Sequence, residues 1–252
     1  MLSKNKIKHY RSFHLKKTRE AEAKFIVEGT KMVEELLTTS LRIDTLVANE
    51  EWLENHKELP DCAEIFSAAE AEIQAISTLQ NPQHVWALVH KPSRETQFSP
   101  HGFTLALDSI QDPGNMGTIL RIADWFGVAQ VLCSPDCVEL YNPKVVQASM
   151  GAIFRVPVLH GILSNFFADC THNNIYAADL EGENVYTADL PANSVLVMGN
   201  EGNGLSEEIK KCVQRKLHIP TFKQSGETSE SLNVAVAAAI LCSEFRRRGN
   251  RR

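Results

Sequence analysis

The stretch that decides the fold lies near the C-terminus, where residues 219–239 read IPTFKQSGETSESLNVAVAAA. An apolar strand end is followed by a polar loop and then by a helix whose N-terminus falls at Ser231 or Asn233. Either side chain can accept hydrogen bonds from backbone amides that would otherwise have no partner. The alanines of this helix leave room for a second backbone to approach closely. Taken alone, the pattern is equally typical of an ordinary buried helix.

Outward from this stretch, strand, loop and helix alternate. Residues 194–198, SVLVM, form a continuous apolar run of the kind found in parallel strands covered on both faces. The alternation predicts an α/β fold with a mostly parallel sheet flanked by helices, preceded by a smaller α/β domain. We therefore assign 1–92 to the N-terminal domain, 93–102 to a linker and 103–252 to the second domain.

Charge is distributed unevenly along the 252 residues, whose formal net charge is −5. Basic residues concentrate at both ends, which favours contact with a polyanion at particular places; the alternative is a pair of solvated tails. The candidate polyanion contacts near the N-terminus are Lys8, Arg11, Lys16, Lys17 and Arg19. The basic residues at the other end are Arg246, Arg247, Arg248, Arg251 and Arg252.

Cysteine spacing and hydropathy indicate the cellular compartment of the protein and argue against a metal cofactor. The six cysteines include no CxxC pair, and no second pair at ligand spacing completes Cys133 and Cys137 as a metal site. We expect no metal and free thiols in a reducing cytoplasm. No signal peptide is visible, and no apolar run approaches the roughly 20 residues that span a bilayer. The sequence predicts a soluble cytoplasmic protein without a membrane contact.

Three loops that follow predicted strands carry the chemistry, because ligands of parallel sheets bind beyond the carboxyl ends of the strands. The first holds Asn115, which we expect to cap its helix, and Arg121 about two turns further on. The second is Gly199–Gly204, before a helix that we expect Ser206 to cap. The third is the opening stretch. Because Glu201 lies inside the glycine-rich loop, where it would repel a phosphate, the second loop favours a neutral or cationic ligand.

Together the loops resemble one enzyme family. The segments are NMGTILRIA at 115–123, LVMGNEGNGL at 196–205, IP at 219–220 and SLNVAVAA at 231–238. In this order they resemble the SpoU (TrmH-like) branch of the SPOUT RNA methyltransferases. Several N-terminal residues resemble the RNA-binding domain of that family, so the resemblance covers nearly the whole chain. They are Arg11, Lys16, Lys17, Arg19, Phe25, Val27, Glu28, Gly29 and Lys31.

The resemblance implies a SPOUT-type parallel sheet with a C-terminal trefoil knot, a homodimer, and S-adenosylmethionine as the cofactor. It implies methyl transfer to a ribose 2′-hydroxyl of RNA, with ribosomal RNA expected over transfer RNA. The catalytic residues that it implies are Asn115, Arg121, Glu201, Ser231 and Asn233. The implied cofactor-binding residues are Met198, Gly199, Gly202, Ile219, Pro220, Leu232 and Asn233, and the implied RNA contacts are the N-terminal candidates above.

Departures from the family pattern leave substrate choice open. Thr221 stands where a larger apolar residue is common, Ala235 where serine is common, and the loop 222–230 is longer than usual. The alternatives are a transfer RNA methyltransferase and a non-catalytic RNA-binding protein of the same fold. A dinucleotide-dependent oxidoreductase is a further alternative from the glycine loop alone, but its first strand and helix lack GxGxxG.

Overall fold

The computed structural model describes residues 1–59, 64–92, 97–170, 174–223 and 231–249. Parts of the predicted linker (93–96) and long loop (224–230), together with Cys62, Arg251 and Arg252, lie outside the described residues. The chain divides into two compact units, Met1–Glu95 with Glu139–Phe154, and Thr96–Val138 with Arg155–Arg252.

The helices and strands follow one another in this order: α1 (Lys4–Ser12), α2 (Lys16–Ala21), β1 (Lys24–Glu28), α3 (Thr30–Leu37), β2 (Ile43–Ala48), α4 (Glu50–Asn55), β3 (Glu64–Ser67), α5 (Glu70–Ile76), β4 (Val85–His90), β5 (Thr104–Leu107), α6 (Pro113–Trp125), β6 (Gln130–Cys133), α7 (Pro143–Ser149), a 3₁₀ helix (Ala152–Phe154), β7 (Val158–His160), α8 (Leu163–Asp169), β8 (Asn174–Asn184), β9 (Ser194–Met198), α9 (Glu207–Cys212), β10 (Arg215–His218) and α10 (Val234–Gly249).

The first unit is built on a small mixed sheet with the strand order β1-β4-β2-β3. β4 runs antiparallel to β1 and β2, whereas β2 and β3 are parallel. Buried apolar residues of β4 (Trp86 and Leu88) pack with Tyr10, Phe13 and Ile76 in the core of this unit. The predicted small α/β domain is confirmed.

The segment Glu139–Phe154 belongs to the first unit, although the sequence predicts it in the second domain with its chain neighbours. The ring of Tyr141 lies 4.5 Å from that of Phe25 on β1. The Arg19 guanidinium, only 2% exposed, pairs with the Glu139 carboxylate and donates to Phe13 O at 2.6 Å. This contact joins residues that are 120 positions apart, so it could not be predicted from local pattern.

The second unit is built on a sheet in which, among the described residues, six strands are all parallel in the order β10-β8-β9-β5-β6-β7. β5 and β9 are neighbours, with Leu107 opposite Met198 at their carboxyl ends. After β5 the chain continues to β6 on one side of this pair, and after β9 it continues to β10 on the other side. A crevice opens where these two connections diverge. The predicted parallel sheet is confirmed.

Some element bounds differ from those predicted. The apolar residues at 156–158 predict a strand there, and the structure places β7 at Val158–His160. The sequence pattern also predicts a helix from Glu50 to Leu59, and α4 ends earlier, at Asn55. Helix α8 was not predicted, because its short sequence, LSNFFAD, has no capping residue before it. None of the helices in the described ranges is long and apolar enough to cross a membrane.

Replacing Arg19 by alanine should destabilise the first unit, because Glu139 would keep a nearly buried carboxylate without its main partner. Removing one member of a buried ion pair costs about 3–5 kcal/mol, and Lys91, 3.7 Å from Glu139, favours the lower value. Urea unfolding should show that Arg19→Ala lowers the free energy of unfolding by about 3 kcal/mol. The exposed control Lys17→Ala should lower it by less than about 0.5 kcal/mol. Equal midpoints for the two variants would contradict this role.

Candidate active site

Three predicted site residues from distant segments are joined by hydrogen bonds. Asn115 Nδ2, in the first turn of α6, donates to Glu201 Oε1 at 2.6 Å. Asn233 Nδ2, just before α10, donates to Asn115 Oδ1 at 2.9 Å. The loop after β9, the start of α6 and the start of α10 therefore meet at one point. We call Asn115, Glu201 and Asn233 the polar relay.

Asn233 also decides where α10 begins. Its Oδ1 accepts hydrogen bonds from the backbone amides of Ala235 (3.0 Å) and Val236 (3.3 Å), which is the geometry of a helix N-cap. Of the two caps that the sequence allows, Asn233 is the one observed. Ser231 is exposed and its side chain has no hydrogen bond within the described residues.

The glycine-rich loop is closed by its own backbone. Asn200 and Gly204 exchange two backbone hydrogen bonds, at 3.0 and 2.9 Å. Asn200 Oδ1 accepts from the amides of Gly202 and Asn203, and its Nδ2 donates to Ser109 O at 2.9 Å. A Cβ on Gly199 would lie 2.6 Å from the carbonyl carbon of Gly204, so only glycine fits there. The loop is thereby held in one shape.

Two aspartates that sequence reasoning missed position these loops. Asp112 Oδ1 accepts from Asn115 N at 2.7 Å and is the N-cap of α6, so the prediction that Asn115 caps this helix is wrong. Asp108, buried at the end of β5, accepts from Ser206 N at 2.7 Å. Ser206 occupies the N-cap position of α9, but its side chain makes no cap bond, contrary to expectation. An Asp directly before Pro-Gly-Asn is a capping pattern, with proline in the first turn of the helix, that identifies Asp112.

Arg121 is not joined to the polar relay. It projects from α6 about two turns beyond Asn115, is exposed, and has neither a hydrogen bond nor an ion pair among the described residues. Trp125, one turn further on, is 86% exposed. A guanidinium without a protein partner keeps all of its donors for an external anion.

The residues predicted to bind the cofactor lie at or after the carboxyl ends of β9 and β10 and just before α10. Met198 is buried in that strand, while Ile219 and Pro220 follow β10 and are partly exposed. Leu232, before α10, is 48% exposed and offers an apolar surface. Glu201 is exposed, accepts a hydrogen bond from Asn115 and has no ion-pair partner in the described ranges, so its negative charge fits a cationic ligand. This chemistry matches S-adenosylmethionine, a sulfonium that carries an adenosine.

Most of the predicted RNA contacts are exposed on the first unit. Lys8 and Arg11 share a face of α1, and Lys17 is exposed on α2; Lys16 also is exposed, but lies 3.5 Å from Glu20. Arg19 corrects the prediction: its guanidinium is buried against Glu139 and cannot reach a phosphate.

The basic residues at the end of α10 are also engaged within the protein. Arg246 donates to the carbonyls of Phe126 and Gly127, at the C-terminus of α6. Arg247 and Arg248 both contact Glu244, at 2.6 and 3.4 Å. These arginines therefore hold α10 and its neighbours in place, while Glu244 is the one carboxylate that the described residues place against them, so a net positive charge remains at this terminus.

Cys133 and Cys137, which the sequence offers as half of a metal site, are both among the described residues. No cluster of three metal-binding side chains occurs among the described residues. Cys137, whose thiol contacts Cys133, Ser134 and Leu107 O, has its pKa lowered to about 7, chiefly by the hydrogen bond from Cys133. Cys133 is fully buried and its pKa is raised by the same contact and by burial. Both are free thiols, as expected.

Solved structures and known relatives define the class of this protein. The structure matches an S-adenosylmethionine-bound rRNA methyltransferase from Sinorhizobium meliloti with a TM-score of 0.83 and 28% identity, over 98% of this chain and 96% of that one. It matches a Porphyromonas gingivalis structure assigned to the TrmH family of RNA methyltransferases with a TM-score of 0.88 and 41% identity, over 98% and 99%. The chain is an S-adenosylmethionine-dependent RNA 2′-O-ribose methyltransferase.

The family follows from the sequence models. Residues 102–243, more than half of the chain, match the SpoU rRNA Methylase family, and residues 4–87 match the MRM3-like substrate binding domain. The chain belongs to the SpoU rRNA Methylase family. It is 29% identical to the 23S rRNA (guanosine(2553)-2′-O)-methyltransferase RlmP of Bacillus subtilis, over 96% of both chains. The resemblance recognised from the sequence is confirmed.

Replacing Gly199 by alanine should weaken cofactor binding, because the new Cβ would meet the Gly204 backbone and open the loop. Overpacking of this kind costs about 1–3 kcal/mol, so calorimetry should show S-adenosylhomocysteine binding weakened about 5- to 150-fold. The control is Gly249→Ala, whose Cβ would find its nearest neighbour at 3.4 Å, an ordinary contact. Unchanged affinity in a folded Gly199→Ala protein would show that the loop shape does not matter.

Proposed function

We propose that the substrate is ribosomal RNA, and that this protein methylates the ribose of an unpaired nucleotide within it. The matched MRM3-like substrate binding domain and the 23S rRNA named for the B. subtilis relative support this choice over transfer RNA. Sequence-specific RNA recognition usually targets single-stranded loops, whose riboses are accessible.

The crevice between the connections of β5 and β9 holds the cofactor in this proposal. When bound, S-adenosylmethionine supplies an electrophilic methyl group on a positively charged sulfur. Ile219, Pro220 and Leu232 give the adenosine an apolar surface, and the closed loop at Gly199–Gly202 offers backbone groups. Glu201 carries the opposite charge to the sulfonium, and its hydrogen bond from Asn115 fixes its orientation.

Arg121 is the residue that we assign to the reacting ribose. A guanidinium stays protonated in proteins, so it acts better as a charge than as a base. We propose that it binds a phosphate beside the target nucleotide and stabilises the developing alkoxide. The 2′-oxygen forms its bond to the methyl carbon as the carbon–sulfur bond breaks, which leaves S-adenosylhomocysteine, and the hydroxyl proton passes to solvent water. Its lack of a partner among the described residues supports this role. Ser231, Asn115 and Asn233 then orient the loops around it.

The remaining parts of the proposal concern assembly. We propose a homodimer in which α6 meets its copy, because Trp125 on that helix is 86% exposed, an unusual exposure for tryptophan. A trefoil knot at the C-terminus and a cytoplasmic location complete the proposal, as the family pattern predicts.

Arg121→Ala should nearly abolish methylation while S-adenosylmethionine still binds. Losing one preorganised electrostatic contact costs about 10²- to 10³-fold in kcat. The assay is methyl transfer to ribosomal RNA from cells that lack the protein, with the 2′-O-methyl positions mapped. Arg121→Lys keeps the positive charge but loses the planar guanidinium, so its kcat should lie between those of the wild type and Arg121→Ala. Arg247→Ala is the control. Wild-type turnover by Arg121→Ala would exclude this role.

Neutralising the exposed basic residues of the first unit should reduce the salt dependence of RNA binding. Each lost phosphate contact lowers the slope of log Kd against log salt by about 0.7 on single strands. The combined change of Lys8, Arg11, Lys16 and Lys17 to alanine should therefore remove about 2 to 3 units of slope. Lys57→Ala, an exposed lysine of the same unit, is the control. If the slope stays the same, these residues only keep the surface soluble.

A further inference from the structure

Two exposed aromatic side chains lie in contact at the carboxyl edge of the parallel sheet. Phe222 is 80% exposed and Tyr186 is 37% exposed. Their ring centroids are 6.4 Å apart, with planes inclined by 36°. Aromatic side chains are mostly buried in folded proteins, so a surface pair of this kind calls for a physical reason. We call Phe222 and Tyr186 the aromatic pair.

The fold itself brings the aromatic pair together. β8 and β10 are parallel neighbours, and their last residues, Asn184 and His218, lie opposite each other. Val185 N donates to His218 O at 3.0 Å, and Asn184 Oδ1 accepts from Tyr186 N at 2.9 Å. Tyr186 is therefore held in a turn at the end of β8, while Phe222 follows the end of β10 by four residues.

The aromatic pair also lies beside the proposed cofactor site. Phe222 comes two residues after Pro220, and two residues of extended chain span at most about 7 Å. The ribose that receives the methyl group must lie next to the cofactor, so the nucleotides around it pass close to Phe222. β8 carries three acidic residues. Two of them are neutralised by ion pairs, Glu183 with Arg215 at 2.6 Å and Asp179 with Lys216 at 2.7 Å, so Glu181 is the one that leaves an exposed negative charge on the described strand.

We propose that the aromatic pair is a stacking platform for an unpaired RNA base next to the methylated ribose. The proposal rests on the proposed function and adds a binding residue set to it. Aromatic rings stack on any base, since every base has a π-face, and this contact holds unpaired nucleotides that have left a helix. Phe222 has no hydrogen-bonding group, so it fixes the position of the base without reading its identity. Arg121 would bind a phosphate of the RNA backbone while the aromatic pair stacks on a base.

Phe222→Ala should raise the KM for ribosomal RNA about 5- to 150-fold, the range expected when the stacking of one base is lost. The affinity for S-adenosylhomocysteine and the salt dependence of RNA binding should stay unchanged, because stacking carries no charge. Phe222→Leu should behave like alanine, and Phe222→Trp like the wild type. Leu180→Ala, which removes another exposed apolar side chain of β8, is the matched control.

A direct reading comes from a single-stranded oligoadenylate that contains 2-aminopurine. Its fluorescence should be quenched by the wild-type protein at saturating concentration and much less by Phe222→Leu. A wild-type KM and wild-type quenching for Phe222→Leu would overturn the platform. A Phe222→Leu protein whose molecular mass in solution differs from that of the wild type would also overturn it, because the aromatic pair would then be a contact between protein copies.

Wild-type protein and Arg121→Ala are measured in the same assay to separate the two proposals. If the wild type fails to methylate ribosomal RNA, or if Arg121→Ala is fully active, the proposed function fails. If both behave as expected while Phe222→Leu keeps the wild-type KM, only the platform fails.

Discussion

The candidate active site depends on one directed chain of hydrogen bonds. The first amides of α10 donate to Asn233, Asn233 donates to Asn115, and Asn115 donates to the Glu201 carboxylate. Every donor in this series points toward the Glu201 carboxylate, which fixes the orientation of both asparagine amides. Because the bonded pairs are 86 and 118 residues apart, the same contacts hold three segments in register. Loss of any member would release both the charge and the loops.

The Glu201 carboxylate keeps its position only if the loop Gly199–Gly204 around it is rigid. The backbone geometry of the loop provides this rigidity. The two bonds between Asn200 and Gly204 close the loop, and the missing side chain of Gly199 lets its two ends come together. Asp108 joins the far end of the loop to the end of β5. An acidic residue in a loop that otherwise suits phosphate changes the ligand from an anion to a cation. The shape of the loop and the charge of its ligand are therefore set by different residues.

The sheet and the family could be predicted from the sequence, whereas individual contacts of the candidate site could not, for physical reasons. The parallel sheet follows from apolar runs such as SVLVM, and the family follows from three loops whose order is fixed along the chain. Which asparagine or aspartate caps a helix could not be decided, because Asp112 and Asn115 are both good caps within one turn. The bond from Asn115 to Glu201 was also beyond reach, since it depends on two loops meeting in space. Long-range packing, and not local preference, decides such contacts.

Three arginines show why a basic residue cannot be assigned from its type alone. Arg19 is buried against Glu139, Arg246 holds two carbonyls at the end of α6, and Arg121 has no partner in the described ranges. The Glu139 carboxylate compensates the charge of Arg19, and the donors of Arg246 are used by backbone carbonyls, so both guanidiniums are engaged within the fold. Arg121 instead keeps a solvated, uncompensated charge on a helix that also carries an exposed tryptophan. Arg121 is thus available to an external anion, and a phosphate beside the methylated ribose is the partner that we propose for it. Contacts within the fold, and not residue type, therefore decide which arginines remain available to a ligand.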